Sequence, residues 1–373
     1  MKTKTIALAG AAFVLLGALA TSHAVGKGSG NGNGNGNGGG GPGGGGDSPA
    51  GTIYYLGPIP GSTGPTAITT SISPDGSNPT IMGSGGWARA FGTPSLSLHN
   101  HHRWFLGFDR IANEAYPDGY ETYPDGSWRF EICAFRDDHD PQSATSGQTR
   151  VQLTENATLE PRGAAWLDED LLISFVGRRW SSTDPGATVV EGGIYTAALE
   201  FDADGNITGL AETPTVPDIP MTLAQTADDP EPDVSYYSWN PAGNMIVYTR
   251  LSDPYGVWMV DFTGWESLIT TEPGHKPEWS PDGRRIAYGV GGGIKSIKPN
   301  GKGEKWIIQS NSTWSFYHAF WSPDSEYLVV TGQAPDLNKD LFLVNTGTGE
   351  LVQLTDTPTP AWETVRAWHG GWR

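Results

Sequence analysis

Pro277-Glu278-Trp279-Ser280-Pro281-Asp282-Gly283 runs straight into an apolar stretch, Arg285 to Val290. The same arrangement stands at Tyr237-Ser238-Trp239-Asn240-Pro241-Ala242-Gly243 before Met245 to Thr249. It stands again at Ala319-Phe320-Trp321-Ser322-Pro323-Asp324-Ser325 before Tyr327 to Thr331. Each copy then offers a second strand, around Val257 to Val260, Gly293 to Ile297 and Leu341 to Val344. Further strands follow, such as Lys305 to Ile308 and Leu351 to Leu354. The anchors Trp239, Trp279 and Trp321 are 40 and 42 residues apart. A unit of four short strands every ~40–45 residues has the length of a propeller blade. The chemistry suits that place. A tryptophan fills the gap between adjacent sheets. Proline fixes φ in the following turn, aspartate bonds to its own backbone and glycine permits positive φ.

Weaker copies extend the count. Arg162-Gly163-Ala164-Ala165-Trp166 precedes Leu171 to Val176, and Pro94 to Leu98 precedes Arg103 to Phe108. Thr364-Val365-Arg366-Ala367-Trp368, whose tryptophan lies 47 residues beyond Trp321, supplies an inner strand with no room for three more. The first strands, Thr52 to Leu56, Ala67 to Ser73 and Asn78 to Met82, lack an inner partner. Joining the two ends predicts a six-bladed, all-β propeller over residues 51–373, closed by one C-terminal and three N-terminal strands. Closure removes sheet edges that invite aggregation.

The repeated Trp-Ser-Pro-Asp-Gly, its following strand and the turn Ser73-Pro74-Asp75-Gly76 resemble the TolB-like (WD40-like) propeller repeat. The resemblance runs from about Thr52 to Arg373 and is sharpest from Val234 to Pro358. It implies the fold. It leaves function open, because that family includes scaffolds, peptidase accessory domains and a few polysaccharide lyases. TolB itself carries an extra N-terminal domain and docks to a peptidoglycan-associated lipoprotein; here a Gly/Asn tether stands in that place. The lyases hold a metal through histidines and a glutamine, and the histidines of this chain do not map onto that pattern.

The N-terminus reads as an address. Lys2 and Lys4 precede the apolar run Ile6 to Leu19, and Ser22-His23-Ala24 fits a signal-peptidase site. Residues 1–24 are therefore expected to be a signal peptide, with a mature start near Val25 and no membrane span after cleavage. Residues 25–50 are almost pure Gly and Asn through Gly46 and are expected to form a flexible, disordered linker. The expected location is periplasmic or secreted. One cysteine, Cys133, allows no internal disulfide, and its strand-like setting predicts a buried thiol. A net charge of −18 argues against nucleic acid and anionic membrane surfaces as partners.

Two insertions interrupt the blades. Asp109 to Ser127 holds the twin turns Tyr116-Pro117-Asp118-Gly119 and Tyr123-Pro124-Asp125-Gly126; Ala211 to Asp233 is rich in Pro and Asp. Long loops on a rigid ring are a usual place for binding. Inner strands line a propeller's channel, so the residues before each anchor converge at one mouth. They are Glu160, Arg162, Asp233, Tyr236, His275, Lys276, Tyr317, His318, Glu363 and Arg366. Such a ring suits a peptide carboxylate, a sugar or a divalent cation such as Ca²⁺. Water-filled funnel mouths are polar in any case. No cofactor and no dedicated metal site is expected. His99-Asn100-His101-His102 reads as a turn, and Phe201-Asp202-Ala203-Asp204-Gly205-Asn206 as a hairpin turn, since Thr213 stands where a calcium loop needs Glu. Gly289 to Ser296 lacks the second glycine of a phosphate loop, with Ile294 in its place. The sequence thus points to an exported, non-catalytic binding or scaffold propeller for an envelope or extracellular protein, peptide or glycan. The alternative is a carbohydrate-active lyase or hydrolase using acids such as Glu160 and Glu363 at the mouth.

Overall fold

The structure is a computed structural model that describes residues 49, 51–58, 67–81, 96–99, 102–112, 119–136, 150–167, 171–226, 229–356 and 366–372. The signal-like segment, the Gly/Asn run, Glu363, Asn100, His101 and the Tyr116-Pro117-Asp118 part of the first twin turn lie outside these residues. All regular elements among the described residues are strands.

The first sheet contains β1 (Ile53–Pro58), β2 (Ala67–Ile72) and β3 (Thr80–Ile81). Next come β4 (Leu96–His99), β5 (His102–Arg110), β6 (Phe130–Arg136) and β7 (Arg150–Gln152). A longer sheet follows, with β8 (Leu159–Leu167), β9 (Leu172–Trp180), β10 (Val189–Phe201) and β11 (Ile207–Leu210). The Pro/Asp-rich insertion adds β12 (Ile219–Pro220) to β10, then makes its own hairpin of β13 (Leu223–Thr226) and β14 (Asp229–Pro232).

The three strongest repeats give three like sheets. The first is β15 (Ser235–Trp239), β16 (Met245–Arg250), β17 (Gly256–Asp261) and β18 (Glu266–Thr270). The second is β19 (His275–Trp279), β20 (Ile286–Val290), β21 (Gly293–Ile297) and β22 (Lys305–Ile308). The third is β23 (Ser315–Trp321), β24 (Tyr327–Gln333), β25 (Lys339–Asn345) and β26 (Leu351–Gln353). Finally β27 (Arg366–Trp372) pairs antiparallel with β1, Tyr55 opposite Ala367 and Leu56 opposite Arg366.

Local chemistry explains the hairpins. Ser280 N donates to Arg285 O at 2.8 Å, Gly283 N to Ser280 O at 2.8 Å, and Arg284 N to Asp282 Oδ1 at 3.0 Å. Gly283 sits at φ 69°, where a glycine is unstrained. In the third copy Ser325 holds that position at φ 64°. Its hydroxyl accepts a hydrogen bond from Asp282 N of the preceding repeat at 3.1 Å. The anchor tryptophans pack between sheets as their bulk requires. Trp239 Nε1 donates to Ser174 Oγ at 2.8 Å, and Trp321 Nε1 to Glu278 O at 3.2 Å, each in the sheet before.

Apolar clusters tie successive sheets face to face. Trp104, Leu106 and Ile132 meet Leu159, Trp166 and Ile173. Val176 and Ile194 meet Ile246 and Tyr248, and Val247 and Val257 meet Trp279 and Ile286. Ala287 and Ile294 meet Phe316 and Leu328, and Phe320 and Leu341 meet Ile53 and Ile72. Sheets twisted against one another in this sequential way define an all-β propeller. Among the described residues no apolar cluster joins the β1–β3 sheet to the β4–β7 sheet.

Some expectations shift. Of the strand expected over Asn78 to Met82, the ladder begins at Thr80, because Asn78 sits at φ 54°; Met82 lies outside the described residues. The strand after Trp166 runs on to Trp180, since Phe175 and Val176 stay paired with β10 and Arg178 is buried. The Asp202 segment is a hairpin turn, its carboxylate accepting from Asp204 N at 3.0 Å and Asn206 N at 2.8 Å. Gly291 and Gly292 form the tight turn joining β20 to β21. His99 and His102 face each other as register partners where β4 meets β5.

Candidate functional site on the inner strands

Four inner strands, β8, β15, β19 and β23, bulge at one position, three residues before the anchor tryptophan. Gly163, Tyr236, Lys276 and His318 occupy that position, with φ of 52°, 50°, 51° and 51°. The pairing registers break there: between Arg162 and Ala164, Ser235 and Tyr237, His275 and Glu278, and Tyr317 and Phe320. A bulge of this kind re-aims a side chain and needs a left-handed residue. Glycine meets that need without strain, as in β8. Tyr, Lys and His do not, and each pays roughly 1–2 kcal/mol for the conformation.

The re-aimed side chains touch. Lys276 Nζ lies 2.7 Å from His318 Nδ1, also contacts His318 Nε2, and sits 4.3 Å from the centre of the Tyr236 ring. These contacts join three successive blades. Alongside, the rings of His275 and Tyr317 stack at 6.3 Å with 21° between planes. The His275 ring lies directly over Gly289; a Cβ there would come within 2.3 Å of its Cε1. A cavity of about 180 Å³ opens here, lined by Tyr317, His318, Thr331, Gln333 and Lys339. Thr331, Gln333 and Lys339 come from β24 and β25, outside the inner strand.

Tyr236 is 52% exposed, so removing its side chain forfeits little packing. The left-handed strain of ~1–2 kcal/mol is relieved in Tyr236→Gly. Glycine's extra unfolded-state freedom, about 0.4–1 kcal/mol, and a lost cation–π contact of similar size offset it. Chemical denaturation should therefore show stability unchanged or raised by up to about 1 kcal/mol. A loss larger than that would make the side chain structural.

Burial, then the Lys276 ammonium, depress the His275 imidazole below its ordinary 6.5. The unfolded chain therefore takes up the proton first. The His275 contribution is fully present above pH 6.5 and declines as pH falls through that value toward the depressed folded-state value. Between pH 7 and pH 5, His275→Asn is expected to lose less stability than the wild type, as read from paired urea titrations; equal slopes would refute this.

Two of the three acids predicted for the mouth, Glu160 and Asp233, bond to neighbours within the fold. Glu160 Oε1 accepts from Arg162 Nε at 3.0 Å and Nη2 at 2.8 Å. Its Oε2 accepts from Arg178 Nε at 2.6 Å and Trp180 Nε1 at 3.2 Å. Arg178 in turn donates to Asp125 Oδ2 at 2.9 Å, which fastens the second twin turn to the β8–β11 sheet. Asp233 accepts from Leu251 N at 2.8 Å and Ser252 N at 2.7 Å, and also from the Ser252 hydroxyl. It fixes the loop after β16. Arg366 lies on β27, opposite Leu56. Cys133 is fully buried, and burial pushes its thiol up to about 12. Among the described residues no group of three or more His, Cys, Asp or Glu is placed to hold a metal ion.

No family model matches the sequence. No curated protein matches it either. Solved structures do. TolB from Acinetobacter baumannii aligns with a TM-score of 0.53 at 14% identity, covering 86% of this chain and 66% of that one. An oligogalacturonate lyase from Vibrio parahaemolyticus aligns with a TM-score of 0.42 at 11% identity, covering 83% of this chain and 74% of that one. A puromycin-hydrolyzing peptidase from Mycobacterium tuberculosis aligns at 0.46 and 14%, covering 83% of this chain and 46% of that one. At such identities the likeness to TolB is one of fold: this chain is similar in structure to the TolB propeller. Function has to come from the site itself.

Proposed function

We propose that the chain is an exported, six-bladed propeller that binds a protein, peptide or glycan and does no chemistry on it. Residues 1–24 direct export, the Gly/Asn run tethers the ring, and β27 closes it by completing the blade of β1, β2 and β3. The mouth of the channel is the binding surface, helped by the long loops. One observation carries this reading. Three successive blades hold Tyr236, Lys276 and His318 in a backbone conformation that favours glycine, and their side chains meet. Strain of that kind persists where it serves a function. Glu160, the acid that a glycosidase-like role would need, is occupied on both oxygens by neighbours in its own blade.

The test is capture of the mature protein's partner from its native envelope or medium. The wild type should recover one stoichiometric partner, and a Tyr236→Gly/Lys276→Gly/His318→Gly variant should lose it while still melting cooperatively. Turnover of acidic oligosaccharides that disappears in His275→Ala or His318→Ala would replace the reading with an enzymatic one. The mass of the exported chain should place its first residue near Val25.

A further inference from the structure

The turns from second to third strand lie at the end of each sheet where the inner strand begins, because the second strand runs antiparallel to the inner one. In the sheet of β15–β18 that turn is residues 251–255, and in the sheet of β23–β26 it is residues 334–338. The sheet packed between these two has only Gly291 and Gly292 there. Two longer tips thus flank a turn that carries no side chain. Each tip sets an exposed apolar residue close to an exposed acid: Tyr255 with Asp253, and Leu337 with Asp336.

Leu337 gains nothing from the fold at its position. Its N donates to Ala334 O at 2.9 Å, and Ala334 N donates to Asn338 O at 2.8 Å. The same pair of bonds closes turns in which Gly76, Gly126, Gly205, Gly264 and Gly301 hold its place, at φ between 73° and 84°. Leu337 takes φ 70° with a Cβ and is 51% exposed. An apolar side chain held out in this way is stabilised by a surface that covers it. Charge narrows that surface. The charged residues of both tips are aspartates, and the chain carries −18. Asp336 uses Oδ1 to accept from Asn338 N at 3.1 Å within its turn, which leaves its second oxygen facing outward chemistry. Lys276 and Lys339 are half-buried, and Lys276 is already held by Tyr236 and His318. Acid and apolar groups paired at each tip complement Lys or Arg set among large apolar side chains.

We propose that the two tips dock a basic, apolar segment of a partner protein, laid across the two-glycine turn between them. The proposal rests on the binding role above and names the chemistry of its partner. Tyr255 and Leu337 are the apolar anchors, and Asp253 and Asp336 meet the partner's cations.

The experiment pans a random linear peptide library, first depleted on a Tyr255→Ser/Leu337→Gly variant, against the purified mature chain at low salt. Both replaced side chains are exposed and the glycine relieves the backbone, so the variant should keep the wild-type unfolding midpoint. If it does not, Leu337→Asn serves for the depletion, since Asn tolerates the left-handed turn. Enriched peptides should combine Lys or Arg with large apolar residues. A synthetic copy capped at both ends should bind in calorimetry, weaken at least tenfold on Asp253→Asn/Asp336→Asn, and weaken as salt rises. Trp265→Ser, in the turn at the opposite end of the β15–β18 sheet, should leave its affinity unchanged. No enrichment, enrichment of acidic or wholly polar peptides, unchanged affinity in Asp253→Asn/Asp336→Asn, or an equal loss in Trp265→Ser would overturn the proposal. If it is overturned while Tyr236→Gly/Lys276→Gly/His318→Gly still loses the captured partner, only this docking surface falls. If that variant keeps the partner too, the binding role falls with it.

Discussion

Glu160→Ala is expected to lower the unfolding free energy by about 3–5 kcal/mol, the cost of removing one member of a buried ion pair. The reason lies with what is left behind. Arg178 is only 1% exposed and its guanidinium bonds to Glu160 at 2.6 Å. Asp125, which also pairs with Arg178, is partly exposed and holds it less well. Trp180 Nε1 loses its acceptor as well. Arg162 matters less, because a third of its side chain already meets water. Glu160→Gln keeps the shape and an acceptor, so it should cost less, about 1.5–3 kcal/mol. The double change Glu160→Leu/Arg178→Met removes both charges and should recover most of the loss, as buried pairs replaced by apolar groups commonly do. Urea unfolding of the set separates these cases. A loss under about 1 kcal/mol for Glu160→Ala would mean that the pair is solvated. The second twin turn should also loosen, because Arg178 tethers Asp125; protease cleavage within residues 119–127 reads that directly.

The repeat was legible because its signals are local and repeated. A tryptophan, a Pro-Asp-Gly turn and a run such as Ile286 to Val290 lie within a dozen residues of each other, and each fixes its own φ or burial. The hairpins at Asp202 and Gly291 were legible for the same reason. The contacts that decide the site are not local. Asp125 and Arg178 are joined across 53 residues, and Lys276 and His318 across 42. Charge alone does not show that the Glu160 and Asp233 oxygens bond to Arg162, Arg178, Leu251 and Ser252 within the fold. The bulge left one trace in the sequence, Gly163. At the same position in the next blades Tyr236, Lys276 and His318 look like ordinary strand residues, and nothing in their identity announces φ near 50°. Thr331, Gln333 and Lys339 escaped notice because only inner strands were expected at the mouth.

Removing residues 366–373 is expected to have the largest effect of all. β27 supplies the inner partner of β1, with Tyr55 opposite Ala367 and Leu56 opposite Arg366. Its loss bares the edge of β1, a row of unpaired backbone donors and acceptors that templates association. Ile53, Tyr55 and Ile72, now 1%, 6% and 2% exposed, pack on Phe320, Leu341 and Leu354 and depend on the β1–β2 sheet staying in place. Joining Leu56 to Arg366 closes a loop of about 310 residues, an entropic cost of roughly 5 kcal/mol that the chain meets only when the blades between are folded. Pairing of β27 with β1 and folding of the blades between them are therefore coupled, and cutting β27 away should weaken more than one blade. The truncated chain should unfold over a broader range with a lower m-value and elute as oligomers. Adding a peptide of residues 366–373 should restore the monomer and raise the midpoint with the logarithm of peptide concentration, as binding to the folded state alone requires. A truncated chain that stays monomeric with the original midpoint would show that β27 is an appendage, and the closed six-bladed ring proposed above would fall with it.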